Sequence, residues 1–522
     1  MTPLSYGARI RGRPALLVFL LLVTVTAAVG MPSAADAADG YALTAATTYR
    51  VDPAAPAVRV EATYRMTNTT PDVDLSDGRR RYYYFEGVTL PIENGAADVA
   101  VEVDGRTAPF EVVQDIDSVG WLDIDFDGNL RYGETATIVL RYTLTGDPPR
   151  TDTSFIRVNP AYVSFPVLAF GDGGRVDVSV VIPDDWVPEH VGDDLRVRGE
   201  AGTLIYEATE IESPPEFFAL FTARNDDSLH SKPITVGNSL FEVRAWPGDD
   251  DWRAFAEREI SEGVPVLERL TGSAWPESAE TDVIEASTPY LRGYAGYYYA
   301  DDDVIEVGEE LDSHTMLHEL SHAWFNNSAI AERWLSEGLA DEIGARAVAA
   351  LGDPLPGPDE YDIEGTVHRA AFRLNSWGRP SDDEADATEM YGYQQAFTVL
   401  RSLSDEIGEE RMTALVAAVL RGDRAYPAED GTTDSSGTVD WREFLDLAEQ
   451  VGGSQQISDL YREHVVTPQQ VDDLDARQEA LDDYATLVAR GAGWAAPAPL
   501  RADMAKWDFD AASTDIDEAN VA

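Results

Sequence analysis

The chain has no cysteine among its 522 residues. Disulfides, thiolate metal sites and cysteine nucleophiles are therefore excluded, and any metal must be held by His, Asp or Glu. Histidine is scarce as well, with seven residues in the whole chain. Without disulfides the fold has to be stabilised by its apolar cores, which a content of 44% hydrophobic and 10% aromatic residues allows.

Positive charge is also in short supply. Lys232 and Lys506 are the only lysines, and 39 Lys and Arg residues stand against 95 Asp and Glu residues, which gives a net charge of -56. Such a surface repels nucleic acid and anionic lipid, so neither is an expected partner. Because the acids are spread along the whole chain, they indicate a highly hydrated surface rather than steering of cationic peptides toward a cleft.

Long apolar runs are absent except near the start of the chain. Three arginines precede an apolar run over residues 15–29, and Ala-Asp-Ala at 35–37 supplies a small-x-small cleavage site. This pattern predicts a secretory signal peptide over residues 1–37, because the run is short for a membrane span. The mature chain is then expected to be secreted or held at the cell surface; the alternative is an uncleaved anchor.

The rest of the sequence falls into segments that differ in the spacing of their hydrophobic residues. Residues 38–228 alternate with period two between regular turn signals, which predicts an N-terminal antiparallel β-sandwich. Residues 229–465 combine a few strands with long helical patterns, and residues 466–522 read as accessory helices followed by an acidic tail. The expected fold class is therefore a multidomain α+β protein.

The stretch TMLHELSHAW carries two of the seven histidines, and a third, His314, directly precedes it on the same predicted helix if that helix begins near His314. His314, His318 and His322 lie on one stripe and the apolar residues lie opposite, so we expect the imidazoles to face away from the packing surface. The i, i+4 spacing places two imidazole nitrogens within reach of one tetrahedral ion. Glu319 projects about a quarter turn from His318, where a base can take a proton from a zinc-activated water.

A catalytic zinc ion needs a third protein ligand. The segment ERWLSEGLADEIGARAVA predicts an amphipathic helix on which Glu337 and Asp341 are four residues apart. We expect Glu337 to bind one Zn²⁺ ion together with the two histidines, and Asp341 to accept a hydrogen bond from a ligand imidazole and fix its tautomer. The alternative is an ordinary acidic helix face.

HELSHAWFNN followed by RWLSEGLADE resembles the gluzincin zinc peptidases, and most closely the aminopeptidase N family. In that family the two histidines and the glutamate of a W-L-x-E-G segment bind zinc, which implies the roles already given to His318, His322 and Glu337. The resemblance also implies a β-sandwich ahead of a thermolysin-like catalytic domain. The family's catalytic tyrosine lies in a Y-x-x-G-F-like segment, which YQQAF matches with alanine in place of glycine, so Tyr393 is the implied oxyanion donor and Tyr391 the alternative.

Two features depart from the family pattern. The spacing between His322 and Glu337 is shorter than usual, by about four residues. The G-x-M-E-N segment, whose glutamate holds the substrate's free amine, is not present, and the corresponding residues 291–303 read LRGYAGYYYADDD. The three consecutive tyrosines there either shape a substrate pocket or pack a loop against the sandwich.

These observations predict a secreted zinc metallopeptidase that acts on peptides or proteins. Glu319 is the expected general base and Tyr393 the group that stabilises the oxyanion. Exopeptidase and endopeptidase action, side-chain preference and oligomeric state are left open. The alternative is a surface binding protein that keeps the peptidase scaffold without catalysis, and a purely structural zinc site is the third hypothesis.

Overall fold

The structure is a computed structural model that describes residues 5–6, 40–52, 56–116, 119–151, 154–276, 280–358, 371–378, 385–426, 437–491 and 495–521. The predicted signal segment, apart from residues 5–6, lies outside these ranges. Among the helices of the described residues, none has both the length and the apolar composition needed to cross a membrane.

The N-terminal half is built from strands. They are β1 (Ser5–Tyr6), β2 (Tyr41–Asp52), β3 (Ala57–Asn68), β4 (Val73–Asp74), β5 (Arg80–Arg81), β6 (Tyr84–Glu93), β7 (Ala96–Val103), β8 (Arg106–Thr107) and β9 (Phe110–Ile116). They continue as β10 (Val119–Arg131), β11 (Thr135–Leu144), β12 (Arg157–Val158), β13 (Tyr162–Val167), β14 (Val176–Pro183), β15 (Val187–Gly192), β16 (Arg196–Glu200), β17 (Thr203–Ala208) and β18 (Ala219–Arg224). The predicted period-two strands are thus confirmed.

Three sheets share one hydrophobic core in this half. Their strand orders are β16-β17-β14-β2-β3-β11-β7-β8, β6-β10-β9 and β12-β13-β18-β15. The prediction of purely antiparallel pairing was wrong at one place, because β14 runs parallel to β2. Alternation shows which face of a strand is buried, but not which strand lies beside it or in which direction that strand runs.

The second half places a mixed sheet beside helices. Its strands are β19 (His230–Val236), β20 (Ser239–Ala245), β21 (Thr281–Ala286), β22 (Gly296–Tyr299) and β23 (Val304–Gly308), in the order β1-β22-β23-β21-β20-β19. The helices are α1 (Asp250–Arg258), α2 (Val264–Thr271), α3 (Ser313–Ser321), α4 (Arg333–Ala350), α5 (Ala385–Ile407), α6 (Glu409–Arg421), α7 (Trp441–Gln450), α8 (Ile457–Leu460), α9 (Val471–Arg490), α10 (Ala498–Lys506) and α11 (Phe509–Val521). The described residues therefore form a mixed α+β fold with sheets first and helices last.

Helix α4 is the centre of this half, and it is buried on nearly all sides. The prediction of an amphipathic helix was wrong, because helices α2, α3 and α5 all pack against it. Two glycines permit the close approach: a Cβ atom on Gly344 would lie 3.0 Å from the backbone N of His318, and one on Gly338 would lie 3.0 Å from the carbonyl oxygen of Ala396. Glu337 and its neighbours are therefore held inside the protein.

The last helices join the same core as α4. Arg477 on α9 is buried and donates to Asp446 of α7 at 2.7 Å, and Trp507 donates to the other oxygen of that carboxylate at 2.9 Å. The residues predicted as an acidic tail form α11 instead. Ala512 and Ile516, four residues apart, are both buried in the core, so this segment has an apolar face despite its acidic composition.

Arginines of the strand-rich half bind carboxylates of the helical half. Arg157 of β12 is buried and donates three hydrogen bonds to Glu309, at 2.8 to 3.2 Å. Arg150 forms a bidentate pair with Asp249 at 2.7 and 2.9 Å. Beside them Tyr162 stacks on Trp246, with ring centroids 4.9 Å apart. The two halves are thus joined by charge-assisted hydrogen bonds as well as by apolar contact.

Candidate metal centre

Helix α3 carries the paired histidines. The side chain of Asp312 caps its first turn by accepting hydrogen bonds from the backbone N–H of His314 and of Thr315. His318 lies inside the helix and His322 directly after its last residue, and both are fully buried. The expectation that the imidazoles face away from the packing surface was wrong, because α4 covers that side of the helix.

The three predicted ligands converge. The Nε2 atoms of His318 and His322 lie 3.1 Å apart, and each is 3.4 Å from Oε2 of Glu337. Ligands bonded to a tetrahedral zinc ion at about 2.0–2.2 Å are separated by about 3.3–3.6 Å, so the dimensions fit such an ion. Among the described residues, these three form the one cluster with the composition and spacing to hold a metal.

The hydrogen bonds of the two imidazoles select the tautomer that binds metal. Nδ1 of His318 lies 3.1 Å from Oδ1 of Asp341, and Nδ1 of His322 lies 2.8 Å from the carbonyl oxygen of Phe325. Both partners are acceptors, so both Nδ1 atoms donate, and once Nε2 has given up its proton each ring presents the lone pair of that nitrogen to the cluster. The lone pairs of the two imidazole nitrogens and one oxygen of Glu337 are directed at one buried position. Together these three atoms form a donor set that can bind a cation.

The electrostatics of the cluster favour positive charge. Burial alone lowers the pKa of His318, but the carboxylates of Asp341, Glu337 and Glu319 outweigh it and raise that pKa to about 10. Burial alone raises the pKa of Glu337, but the two imidazoles outweigh it and lower that pKa to about 2. The surroundings therefore keep Glu337 anionic and attract a cation to the point between the rings.

His314 supports the centre without joining it. Its Nε2 lies 2.9 Å from the backbone carbonyl oxygen of Asp341, and its ring stacks on Phe397 with centroids 5.7 Å apart. The hydrogen bond connects the first turn of α3 to the part of α4 that carries Asp341.

Asp341→Asn is expected to weaken zinc binding while the fold stays intact. The amide oxygen can still accept from His318, but the negative charge that orients and polarises the imidazole is lost, and such a change typically costs about 10- to 100-fold in metal affinity. Competition with a zinc chelator measures the change. Glu342→Gln, another buried carboxylate of α4, is the matched control and should bind zinc like the unchanged chain.

Glu319 packs against a strand of the mixed sheet, whereas the three ligands contact one another. It is fully buried and lies against β22, so that a Cβ atom on Gly296 would be 2.6 Å from its Cγ and 2.8 Å from its Oε1. The glycine therefore leaves the space in which the carboxylate lies. The base predicted from sequence thus lies against strand β22, on the helix that carries the histidine ligands.

Gly296→Ala is expected to lower turnover without removing zinc, because the added methyl group forces the Glu319 carboxylate out of place. A displacement of about 1 Å in a catalytic group can cost about 100-fold in rate. Steady-state kinetics and metal analysis of the same preparation measure the two effects. Gly199→Ala, at a glycine with open space around it, is the control; equal loss in both variants would contradict the steric explanation.

The tyrosines of β22 lie on both faces of the strand. Tyr298 is buried, with its ring nearly parallel to that of His322 at 6.5 Å. Tyr297 contacts Tyr294, and Tyr299 donates to Glu306 at 3.2 Å. They belong to a strand of the mixed sheet, between β1 and β23, rather than to a loop packed on the sandwich.

Of the two candidate tyrosines, Tyr393 is the one that shares a neighbour, Arg333, with a predicted ligand. Burial and, next, the charge of Glu337 raise the pKa of the Tyr393 hydroxyl well above its usual value, while Arg333 lowers it. Tyr391 instead packs on Phe372, with ring centroids 4.9 Å apart. Arg333 links Tyr393 to a predicted ligand: one of its terminal nitrogens lies 3.3 Å from the Tyr393 hydroxyl oxygen, and its Nε lies 3.9 Å from Oε1 of Glu337.

Three residues around Tyr393 were missed from the sequence. Arg333 donates to both oxygens of Glu389, at 2.9 and 2.6 Å, and its guanidinium lies over the ring of Trp377 at 4.3 Å. Trp377 donates to Glu389 and meets Tyr393 edge to face at 5.0 Å. The only local signal was an arginine at the first residue of a helix, where positive charge opposes the helix dipole.

Comparisons with known proteins find matches at low sequence identity and low TM-score. No family model matches the chain. A curated putative aminopeptidase-2 of Caenorhabditis elegans is 24% identical over an alignment of 245 residues, and the match covers 41% of this chain and 12% of that protein. An M1 zinc metallopeptidase from Deinococcus radiodurans is 16% identical with a TM-score of 0.32, covering 84% of this chain and 97% of its own. Leukotriene A4 hydrolase from Saccharomyces cerevisiae is 13% identical with a TM-score of 0.32, covering 89% and 76%.

Proposed function

We propose that the protein is a zinc-dependent metallopeptidase with a thermolysin-like catalytic domain. The observation that carries the proposal is the buried convergence of His318, His322 and Glu337, with Glu319 on the same helix directly beside the first ligand. A binding module or a structural zinc site has no use for a buried glutamate at that position. The curated relative is an aminopeptidase by name, which agrees with the proposal.

Each residue of the site has its own role in the proposed peptide hydrolysis. His318, His322 and Glu337 would hold one zinc ion, which as a Lewis acid polarises a carbonyl and makes a bound water acidic near neutral pH. Glu319 accepts the proton of the attacking water and passes it to the amine that leaves. Tyr393 donates a hydrogen bond to the carbonyl oxygen as that oxygen gains negative charge.

Strand β22, which lies beside Glu319, supports a peptide as the substrate. β22 pairs with β23 on one side, and on the other it pairs antiparallel with residues Ser5 and Tyr6. A strand that pairs with a two-residue extended segment on that side can pair with the backbone of a substrate in the same way. We propose further that the chain is exported by its first 37 residues, and that residues 38–228 act as a supporting domain.

One paired assay tests the function. The purified protein, with its zinc content measured, is offered aminoacyl chromogenic substrates and N-terminally blocked peptides side by side. We expect zinc-dependent hydrolysis of at least one set; cleavage of blocked peptides identifies an endopeptidase, and cleavage of aminoacyl substrates alone identifies an aminopeptidase. Stoichiometric zinc with no hydrolysis of either set would contradict the proposal and favour the binding protein.

A further inference from the structure

We infer that Arg333 is a positioning residue that holds the hydroxyl of Tyr393 and directs its proton into the metal centre. The inference rests on the proposed peptidase function. Arg333 is the first residue of α4, one turn before Glu337, and one of its terminal nitrogens lies 3.3 Å from the hydroxyl oxygen of Tyr393. It is thus placed between the helix that carries the third ligand and the tyrosine that serves the reaction.

The contacts of the Arg333 guanidinium fix its orientation. It forms two parallel hydrogen bonds with Glu389, which is fully buried, and it lies on the face of Trp377. Glu389 also accepts hydrogen bonds from Tyr294 at 2.9 Å and from Trp377 at 3.1 Å. A bidentate, stacked arginine keeps its geometry better than any other cationic side chain, because both its plane and its hydrogen-bonding edge are fixed.

Trp377 itself is fixed against α5. A Cβ atom on Gly392 would lie 2.2 to 2.6 Å from the indole ring, so the ring rests directly on the backbone next to Tyr393. The same indole meets the ring of Tyr393 edge to face. Trp377 therefore contacts both the Tyr393 ring and the Arg333 guanidinium and fixes their relative position.

The direction of the tyrosine proton follows from donor chemistry. A guanidinium has only donors, so at the hydroxyl of Tyr393 the oxygen accepts from Arg333. The O–H bond of a phenol lies near the plane of its ring and can point to either of two sides. Because Arg333 donates to the oxygen from one side, the proton of the Tyr393 hydroxyl points to the other side. The hydroxyl of Tyr393 is then oriented to donate when a carbonyl oxygen beside the ligands becomes negative.

Arg333 has a second contact that the test must separate. Its Nε lies 3.9 Å from Oε1 of Glu337, so the same side chain can act on a metal ligand. An effect through Glu337 changes zinc affinity, whereas an effect through Tyr393 changes kcat and leaves zinc affinity unchanged. Metal content and kinetics measured on one preparation distinguish the two routes.

A double-mutant cycle on the full-length zinc-loaded protein provides the test. Arg333→Met, Tyr393→Phe and the double variant are compared with the unchanged chain in kcat, KM, zinc content and melting temperature. We expect Tyr393→Phe to lower kcat by about 100- to 1000-fold and Arg333→Met by about 10- to 100-fold, with little change in KM. The double variant should be no slower than Tyr393→Phe, because both changes remove the same hydrogen bond.

Arg401→Met is the matched control. Arg401 also binds a fully buried glutamate of α4, Glu342, at 2.6 Å, and its guanidinium also lies over an aromatic ring, that of Phe397 at 4.9 Å. Its loss should lower the melting temperature without a selective fall in kcat. If Arg333→Met does not fold, Arg333→Lys completes the same cycle, since lysine keeps the charge and loses the bidentate geometry.

The outcomes separate the inference from the function on which it rests. Multiplicative losses in the double variant, or loss of zinc in Arg333→Met, would overturn the positioning role while peptidase activity of the unchanged chain stands. A kcat loss in Arg401→Met as large as that in Arg333→Met would also overturn it. An unchanged chain that holds zinc and hydrolyses no peptide would instead overturn the proposed function, and the inference with it.

Discussion

Glu319→Gln is expected to retain zinc and lose turnover. Glutamine has the same shape and cannot take a proton from water, and removal of a general base costs about 100- to 10,000-fold in rate. The side chain is fully buried against Gly296, so the isosteric change should leave the fold and the ligands in place. Kinetics on the best substrate, with zinc content and melting temperature from the same sample, measure all three properties.

The matched control for this prediction is Glu342→Gln. Glu342 is equally buried but pairs with Arg346 and Arg401 rather than with the metal centre. It should destabilise the protein more than Glu319→Gln, because it leaves two arginines without their carboxylate, and it should keep most of its turnover. Retained hydrolysis in Glu319→Gln would remove the general-base mechanism.

Glu337→Ala is expected to abolish zinc binding at the centre and, with it, all activity. The variant keeps two imidazoles from a single helix, which do not complete a catalytic set of three protein ligands. Zinc should raise the melting temperature of the unchanged chain, because an ion that binds only the folded state stabilises it by mass action. The variant should show no such rise, and a chelator should lower the melting temperature of the unchanged chain alone.

Calorimetry with and without added zinc measures this effect. Asp341→Asn provides the graded comparison, since it keeps all three ligands and should retain a smaller zinc-dependent rise. Equal zinc stabilisation in Glu337→Ala and in the unchanged chain would show that the ion binds elsewhere.

The local part of the site could be predicted from the sequence. The i, i+4 spacing places His318 and His322 on one side of a helix, and the same spacing relates Glu337 to Asp341. Both geometries depend only on helical periodicity, so they were available before any tertiary structure. The choice of Tyr393 depended on a resemblance, because nothing in the local pattern separates it from Tyr391.

What could not be predicted depends on contacts between distant segments. Periodicity separates the polar and apolar faces of α3 but does not show that α4 covers the polar face. The cluster of Arg333, Trp377 and Glu389 joins three separate segments, and each residue alone reads as an ordinary surface or core residue. The parallel pairing of β2 with β14 was missed for the same reason, since strand neighbours are a property of the whole chain.

The arginines that cross from the strand-rich half have a consequence for any shortened version of the protein. A fragment that starts at residue 229 would leave Asp249 and Glu309 without Arg150 and Arg157, and it would expose the apolar face of Trp246. Unscreened carboxylates would then accumulate in a polypeptide that already carries a large excess of negative charge. Such a fragment should be less stable than the whole protein and should gain more stability from added salt, because Arg150 and Arg157 no longer neutralise these two carboxylates.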